Sequence, residues 1–438
     1  MLRGILILAF MVGVIILMVT RKMPTIIALL VLAIGICVIA GVPALVFEDG
    51  AVTGGFFKTV IQSGCSVLAD AAAVAFFASW LGQVMLTTHI TETIIKKGAE
   101  LGGDKVLVVT LVLFVAGSLI FSSVNGLGTV IMLASIMVPI LVSVGADKLT
   151  AGALVLFCYC VGNNFNLSNV NAIAAIFGTE YTDTYKVLLV GSIVIFIAGV
   201  IFFVLRLRKT GKKYAFAAVA NEDDNQDDPF KVEGVPGLLA MLTPIVPVVL
   251  VLAFKFPLVI SFVIGVAWGT LWTSLGVEWN RIMNMLSKAF IDGFGQTAPS
   301  VILFLEIGMI LYSVKQPEVI TALTPFVQAI TPKSGIAFVL FFLILAPLCL
   351  YRGPLNLWGL GAGIAALMAG LNILPLNVIM GGFCAVSVMQ LLACPTNTHN
   401  AWVSSYVGED VTKVTMTLLP WTYPAIIACL IATLVWFM

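Results

Sequence analysis

The stretch CPTNTHNAWV, Cys394 to Val403, interrupts an otherwise apolar run, and GNNFNLSNVNAI, Gly162 to Ile173, does the same in the first half of the chain. Around them, 438 residues are 61% hydrophobic and 10% charged, with a net charge of +1 and a mean hydropathy of +1.14. A soluble protein carries roughly 25% charged residues to cover its surface. Here apolar runs of about 18 to 25 residues recur from end to end, each enough to cross a ~30 Å hydrocarbon core. The two polar stretches therefore lie within a polytopic, all-α membrane protein. The runs are continuous rather than alternating, which excludes an outer-membrane barrel.

Composition excludes other classes. The near-zero charge, with no basic cluster interleaved with aromatics, argues against nucleic-acid partners. There is no GxxxxGK[ST] loop for ATP-driven transport. With no HExxH, two histidines and no paired aspartates at membrane depth, a membrane-embedded enzyme is disfavoured. A passive anion channel is the alternative from a different class, although ring-like charge features are missing. The eight cysteines (37, 65, 158, 160, 349, 384, 394 and 429) lie in or beside apolar segments and read as small buried hydrophobes. No metal site or cofactor is expected. The opening MLRGILILAFMVGVIILMVTRK lacks a small-residue cleavage pattern and reads as a retained first helix.

The only long charge-rich segment, RLRKTGKKYAFAAVANEDDNQDD, runs from Arg206 to Asp228. Its cations follow an apolar span, so the positive-inside rule assigns it to the cytoplasm, with the protein in the plasma (inner) membrane. Arg21-Lys22, Lys96-Lys97, Arg281 and Lys288 agree if the N-terminus is external. Two similar units flank this linker. KTVIQSGCSVLADAAAVAFFASWLGQVM begins at Lys58 and KAFIDGFGQTAPSVILFLEIGMIL at Lys288; SSVNGLGT (Ser122–Thr129) corresponds to YRGPLNLWG (Tyr351–Gly359). The separation stays near about 230 residues. Lys58 falls outside and Lys288 inside, so the repeats are inverted, a pattern of alternating-access transporters. The expected organisation is N-terminal helices 1–57, repeat 58–205, linker 206–235, a helix pair 236–287 and repeat 288–438. Each repeat holds a scaffold helix, a re-entrant hairpin, a broken helix and a closing helix.

Non-helical backbone at membrane depth survives only inside protein or beside water. SSVNGLGT, GNNFNLSNVN, YRGPLNLWG and CPTNTHN each combine a helix breaker or Asn with side chains that cap helix ends. Half-helix N-termini suit an anion, while freed carbonyls suit a cation. The four breaks therefore read as one divided binding site; the plainer alternative is interhelical glue.

This order of a hairpin tip rich in Ser, Asn, Gly and Thr, an arm ending in MVPI, a short GAD link and an Asn-rich helix break resembles the repeat of the ion-transporter superfamily. That superfamily includes divalent-anion/sodium symporters, citrate–metal symporters and gluconate permeases. The resemblance spans Lys58 to about Phe177 and Lys288 to about Ser405. It implies a homodimer in the lipid bilayer, with a scaffold and an elevator-type transport domain. The first tip reads Ser122-Ser123-Val124-Asn125-Gly126 where the divalent-anion members have Ser-Asn-Thr, and the second reads Arg352-Gly353-Pro354-Leu355-Asn356. The incomplete pattern favours H⁺ over Na⁺ as coupling cation.

Isolated charges in spans are functional candidates. Arg352, the one formal charge between Lys333 and Glu409, is a carboxylate clamp or a snorkelling cation. Glu306 is a proton carrier, a neutral packing group or a partner of Arg352. Asp70 is a proton carrier or a solvated external residue. His399 titrates near neutral pH and tunes transport, or hydrogen-bonds in a wall. The expected function is ion-coupled uptake of a small organic anion, a carboxylate such as citrate, gluconate or a dicarboxylate. Its site is expected from Ser123, Asn125, Gly126 and Thr129 at one tip and Arg352, Gly353 and Asn356 at the other. Asn163, Asn166, Ser168 and Asn171 line the first break; Thr396, Asn397, Thr398 and Asn400 line the second.

Overall fold

The computed structural model describes every residue except 1, 21, 49, 104, 209–229, 231, 333, 360 and 371–373, with backbone alone at 19, 25, 352 and 370. Most of the expected cytoplasmic linker, and Arg21, lie outside the described residues. Helices α1 (Leu2–Val19) and α2 (Thr25–Ala40) open the fold. They are followed by an antiparallel pair, β1 (Val46–Glu48) and β2 (Ala51–Gly54). This short pair is an addition to the otherwise helical fold that the sequence did not signal. Val46, Phe47, Val52 and Thr53 favour extended backbone, and Gly50, at φ 77, takes a turn conformation other residues resist.

The first half continues with α3 (Ser63–Ser66), α4 (Ala69–Thr87), α5 (Ile90–Gly102), α6 (Val106–Ser123), α7 (Leu127–Ser143), α8 (Lys148–Phe165), α9 (Leu167–Phe177) and α10 (Tyr181–Leu207). Three connecting helices follow: α11 (Gly234–Ala240), α12 (Ile245–Leu252) and α13 (Leu258–Thr273), the first two bent by 52°. The second half holds α14 (Trp279–Val314), α15 (Pro317–Ile330), α16 (Gly335–Leu345), a 3₁₀ segment Ala346–Arg352, α17 (Gly361–Gly370), α18 (Leu376–Ala393), α19 (Thr398–Tyr406), α20 (Val411–Leu418) and α21 (Tyr423–Phe437). Among the described residues, six helices are long and apolar enough to cross a membrane, or up to eight if each of two bent pairs is one span. The short helices α5 and α15 were not anticipated. Their apolar stripes, such as Ile90, Ile95 and Ala99 in α5, are buried on one side only, a pattern that a search for long apolar runs passes over.

The chain returns on itself along α4 and α14. Ser79 Oγ donates to the Gly293 carbonyl at 2.8 Å, Trp80 Nε1 to the Leu286 carbonyl at 3.2 Å, and the Phe76 and Phe294 rings stack at 3.7 Å. Gly64, just before α4, meets Gly308. Residue numbers rise on one side as they fall on the other, so the two helices are antiparallel. A shift of about 230 residues turns the Gly64–Gly308 approach into the Ser79–Gly293 one. The approach depends on missing side chains: a Cβ on Gly308 would collide with the Gly64 carbonyl, and one on Gly64 would stand 2.7 Å from the Met309 Cα.

Backbone cannot retreat here as a flexible side chain would. Gly308→Ala is expected to lower the thermal midpoint of the detergent-purified protein, at a cost of about 1–3 kcal/mol. Gly13→Ala, where a Cβ meets nothing within 4 Å, should leave it unchanged or slightly raised.

Candidate functional site

All four interruptions converge on one open cavity of about 290 Å³. Asn125 and Gly126 come from the first tip, between α6 and α7. Tyr159 and Asn163 come from α8, Ser168 and Asn169 from α9, and Trp358 from the second tip. Gln390 ends the wall of α18, and Asn397, Thr398 and His399 open α19. Ala75, Ala78 and Ser79 of α4 and Gln296, Thr297, Ser300 and Phe304 of α14 complete it. The volume sits at the small end of ligand pockets, ~300–1,000 Å³. Among the described residues, no Asp, Glu, Lys or Arg lines the cavity.

Each break is held by its asparagines. In the first, Asn166 is the N-cap of α9, its Oδ1 accepting from Ser168 N at 3.0 Å and Asn169 N at 3.2 Å. Asn169 Nδ2 donates to the Asn163 carbonyl at 3.1 Å, which also accepts from Asn166 N. At the same offset of about 230 residues, Asn400 Nδ2 donates to the Cys394 carbonyl at 2.8 Å, and Asn397 N reaches that carbonyl as well. The N-cap residues share a conformation, φ −66 and ψ 119 at Asn166 against φ −68 and ψ 133 at Asn397.

One difference separates the breaks. The Asn397 amide turns back to Gln390, donating to its carbonyl at 2.7 Å and accepting from its Nε2 at 3.0 Å. It makes no side-chain cap, so α19 starts without a cap from Asn397, at residues Asn397, Thr398 and His399 that line the cavity. The α9 start is capped by the Asn166 side chain; the α19 start has no such cap from Asn397.

At the first tip, Asn125 Oδ1 accepts from Gly126 N at 2.8 Å and from the Tyr159 hydroxyl at 3.0 Å. Gly126 has φ 109 and ψ 163, a conformation that glycine alone tolerates well. The second tip is tied internally: Asn356 Nδ2 donates to the Cys349 carbonyl at 3.0 Å and its Oδ1 accepts from Trp358 N at 2.9 Å. The Trp358 ring lies 5.5 Å from Phe304 of α14.

Of the residues expected from sequence, Asn125, Gly126, Asn163, Ser168, Asn397, Thr398 and His399 line the cavity. Asn166, Asn356, Thr396 and Asn400 stand behind it; Thr396 pairs its hydroxyl with Cys394 Sγ at 3.1 Å. Ser123 is buried and its hydroxyl is spent on the Pro244 carbonyl. Thr129 is buried and Asn171 half-buried, both outside the wall. Gly353 permits a close turn, since a Cβ there would strike the Leu348 carbonyl. Arg352 closes the 3₁₀ segment with its backbone, and its side chain lies outside the described residues.

Glu306 is 5% exposed, with an Oε2 that has no hydrogen-bond partner among the described residues. Its helical spacing puts it on one face of α14 with Leu303, a cavity residue, and Ile310, which packs against Gly363 of α17. Asp70 is exposed in the first turn of α4. His399 Nε2 donates to the Leu391 carbonyl at 3.0 Å, and its ring lies 4.1 Å from the Tyr159 ring. Sequence reasoning missed Tyr159, Asn169, Gln390, Gln296, Ser300 and Trp358. Tyr159 had a usable signal, since it precedes Asn163 by four residues and so shares its helix face.

The profile of the DcuC family, C4-dicarboxylate anaerobic carriers, matches residues 89–354. No curated protein matches the sequence. The crystal structure of the Alcanivorax borkumensis YdaH transporter is similar with a TM-score of 0.65 at 12% identity, over 99% of this chain and 98% of that one. Neisseria gonorrhoeae MtrF, from a class of antimetabolite efflux pumps, is similar with a TM-score of 0.60 at 12% identity, over 96% and 95%. At such identity these two likenesses concern the fold alone.

The matched asparagine bonds yield a paired expectation. Asn169→Leu and Asn400→Leu should each cost about 1 kcal/mol of stability, read as similar drops in thermal midpoint. Asn171→Leu, outside the wall, should shift it by no more than about 0.5 kcal/mol.

Proposed function

The chain belongs to the DcuC family of C4-dicarboxylate anaerobic carriers, and from that premise we propose ion-coupled uptake of a four-carbon dicarboxylate through the cavity between the two helix breaks. This is a multi-span membrane protein and a secondary transporter of carboxylates, not an enzyme. What supports the proposed uptake is the start of α19 beside Thr398, not capped by Asn397, in a cavity that presents hydroxyls and amides and, among the described residues, no carboxylate. An anion there gains helix-end N–H groups and a positive dipole end. The second carboxylate is assigned to the first tip, at Asn125 and Gly126. Arg352 keeps its proposed role as a clamp from the second tip.

H⁺ is the proposed coupling ion and Glu306 its carrier. A buried carboxyl with an unpartnered oxygen among the described residues, on the face of α14 that also carries the cavity-lining Leu303, is where a gradient is proposed to load and unload a proton. His399, on the cavity wall, is the second candidate. Movement is proposed to follow an elevator, with the antiparallel α4 and α14 as fixed scaffold in a homodimer and the linker in the cytoplasm. The matched contacts at a common offset support reading the halves as inverted repeats.

The test is uptake of labelled succinate into proteoliposomes. Concentrative uptake driven by an inward proton gradient, unaffected by replacing Na⁺ with K⁺, is the expected result. Strict Na⁺ dependence would overturn the coupling assignment, and equilibration without coupling would favour a passive channel. Glu306→Gln should abolish gradient-driven accumulation yet retain succinate counterflow. Arg352→Ala is expected to remove the rise in thermal midpoint that saturating succinate produces in wild type, about 2.7 kcal/mol of stabilisation at a hundredfold excess over Kd.

A further inference from the structure

We propose that Tyr159 is a positioning residue for the carboxylate subsite at the first tip: its hydroxyl holds the Asn125 amide so that only N–H donors face the cavity. The proposal rests on the dicarboxylate reading above and assigns Tyr159, itself on the cavity wall, a role exerted through Asn125.

The orientation of Asn125 follows from its partners. A backbone N–H donates and never accepts, so the side-chain atom 2.8 Å from Gly126 N is the oxygen. The Tyr159 hydroxyl, 3.0 Å from that oxygen, is its second donor. An amide oxygen offers two lone pairs, and both are taken. What the side chain has left is its NH₂ group, on a residue that lines the cavity. A carboxylate accepts hydrogen bonds and cannot donate them, so this is the orientation it requires. Gly126 by itself supplies one anchor. With a single anchor the amide is free to swing about its side-chain torsions and lose register with the ligand. The second anchor removes that freedom.

Tyr159 is well placed for this. It is 9% exposed, its ring meets Phe121 of α6 edge-on at 5.2 Å, and its other side lies 4.1 Å from the His399 ring of α19. One side chain thus touches the first hairpin arm, the first tip and the second break. Whether the tip offers donors to a ligand is thereby tied to the packing of both halves.

Tyr159→Phe keeps the ring and removes only the hydroxyl. In the full-length protein, Kd and KM for succinate should rise about tenfold, the scale of one hydrogen bond, with the maximal rate near wild type and the unliganded thermal midpoint only slightly lowered. In an Asn125→Ala background the same substitution should have no further effect on succinate affinity. Asn125→Asp, which keeps both acceptor bonds but turns an oxygen to the cavity, should lose succinate binding while remaining as stable as wild type. An unchanged KM in Tyr159→Phe, or an equal loss in the Asn125→Ala background, overturns the positioning role and leaves the dicarboxylate reading intact. A wild type that binds no four-carbon dicarboxylate overturns that reading, and this role with it.

Discussion

Peptide groups opened at membrane depth need partners, and the pairing of Asn169 and Asn400 with the carbonyls of Asn163 and Cys394 supplies them. Without such bonds a helix broken inside the bilayer would expose its ends to hydrocarbon, and the chain would close into an unbroken span. Because short amides bridge the gap, two helices stop and restart within the protein. Each restart places side chains of its first turn on one interior space. The cavity exists because the breaks are chemically satisfied from behind.

Equal construction does not produce equal ends. Asn166 spends its side chain capping α9, whereas Asn397 spends its own on Gln390. The difference is local, a choice of hydrogen-bond partner, yet it leaves one helix start capped by its asparagine and the other not. The tips differ likewise. The first is tied to α8 through Tyr159, inside the bundle of broken helices, and the second sets Trp358 against Phe304 of α14. A ligand bridging the first tip and α19, as proposed, would join parts of both halves.

The α4–α14 pair provides the opposing surface. Glycine at positions 64, 293 and 308 brings backbone against backbone, the way helices associate where lipid removes the hydrophobic drive for packing. Ser79, bonded to the Gly293 carbonyl, also lines the cavity, so the contact that locks this pair reaches the site itself. Glu306 occupies the same helix, between the cavity-lining Leu303 and the point where Ile310 meets α17. In the proposed coupling, a proton carried there would sit where this pair meets α17.

Much of this was legible in the sequence, because hydropathy and helix-breaking residues act locally. Long apolar runs determine that the chain lives in a membrane. Asn, Ser, Thr and Gly clustered inside such runs mark where the backbone breaks, and their recurrence about 230 residues apart marks the two halves. The β pair and the short α5 and α15 escaped, since each signals itself over too few residues for a span-length pattern. Other matters were decided only by tertiary structure. Ser123 and Asn125 look equivalent as tip residues, yet one hydroxyl is drawn to Pro244 and the other side chain faces the cavity. Asn166 and Asn397 occupy matching positions, yet only one caps its helix. Tyr159 gains its part from Phe121, Asn125 and His399, which are distant in the chain. Local sequence specifies which groups are able to bond; only the packed helices decide which partner each one meets.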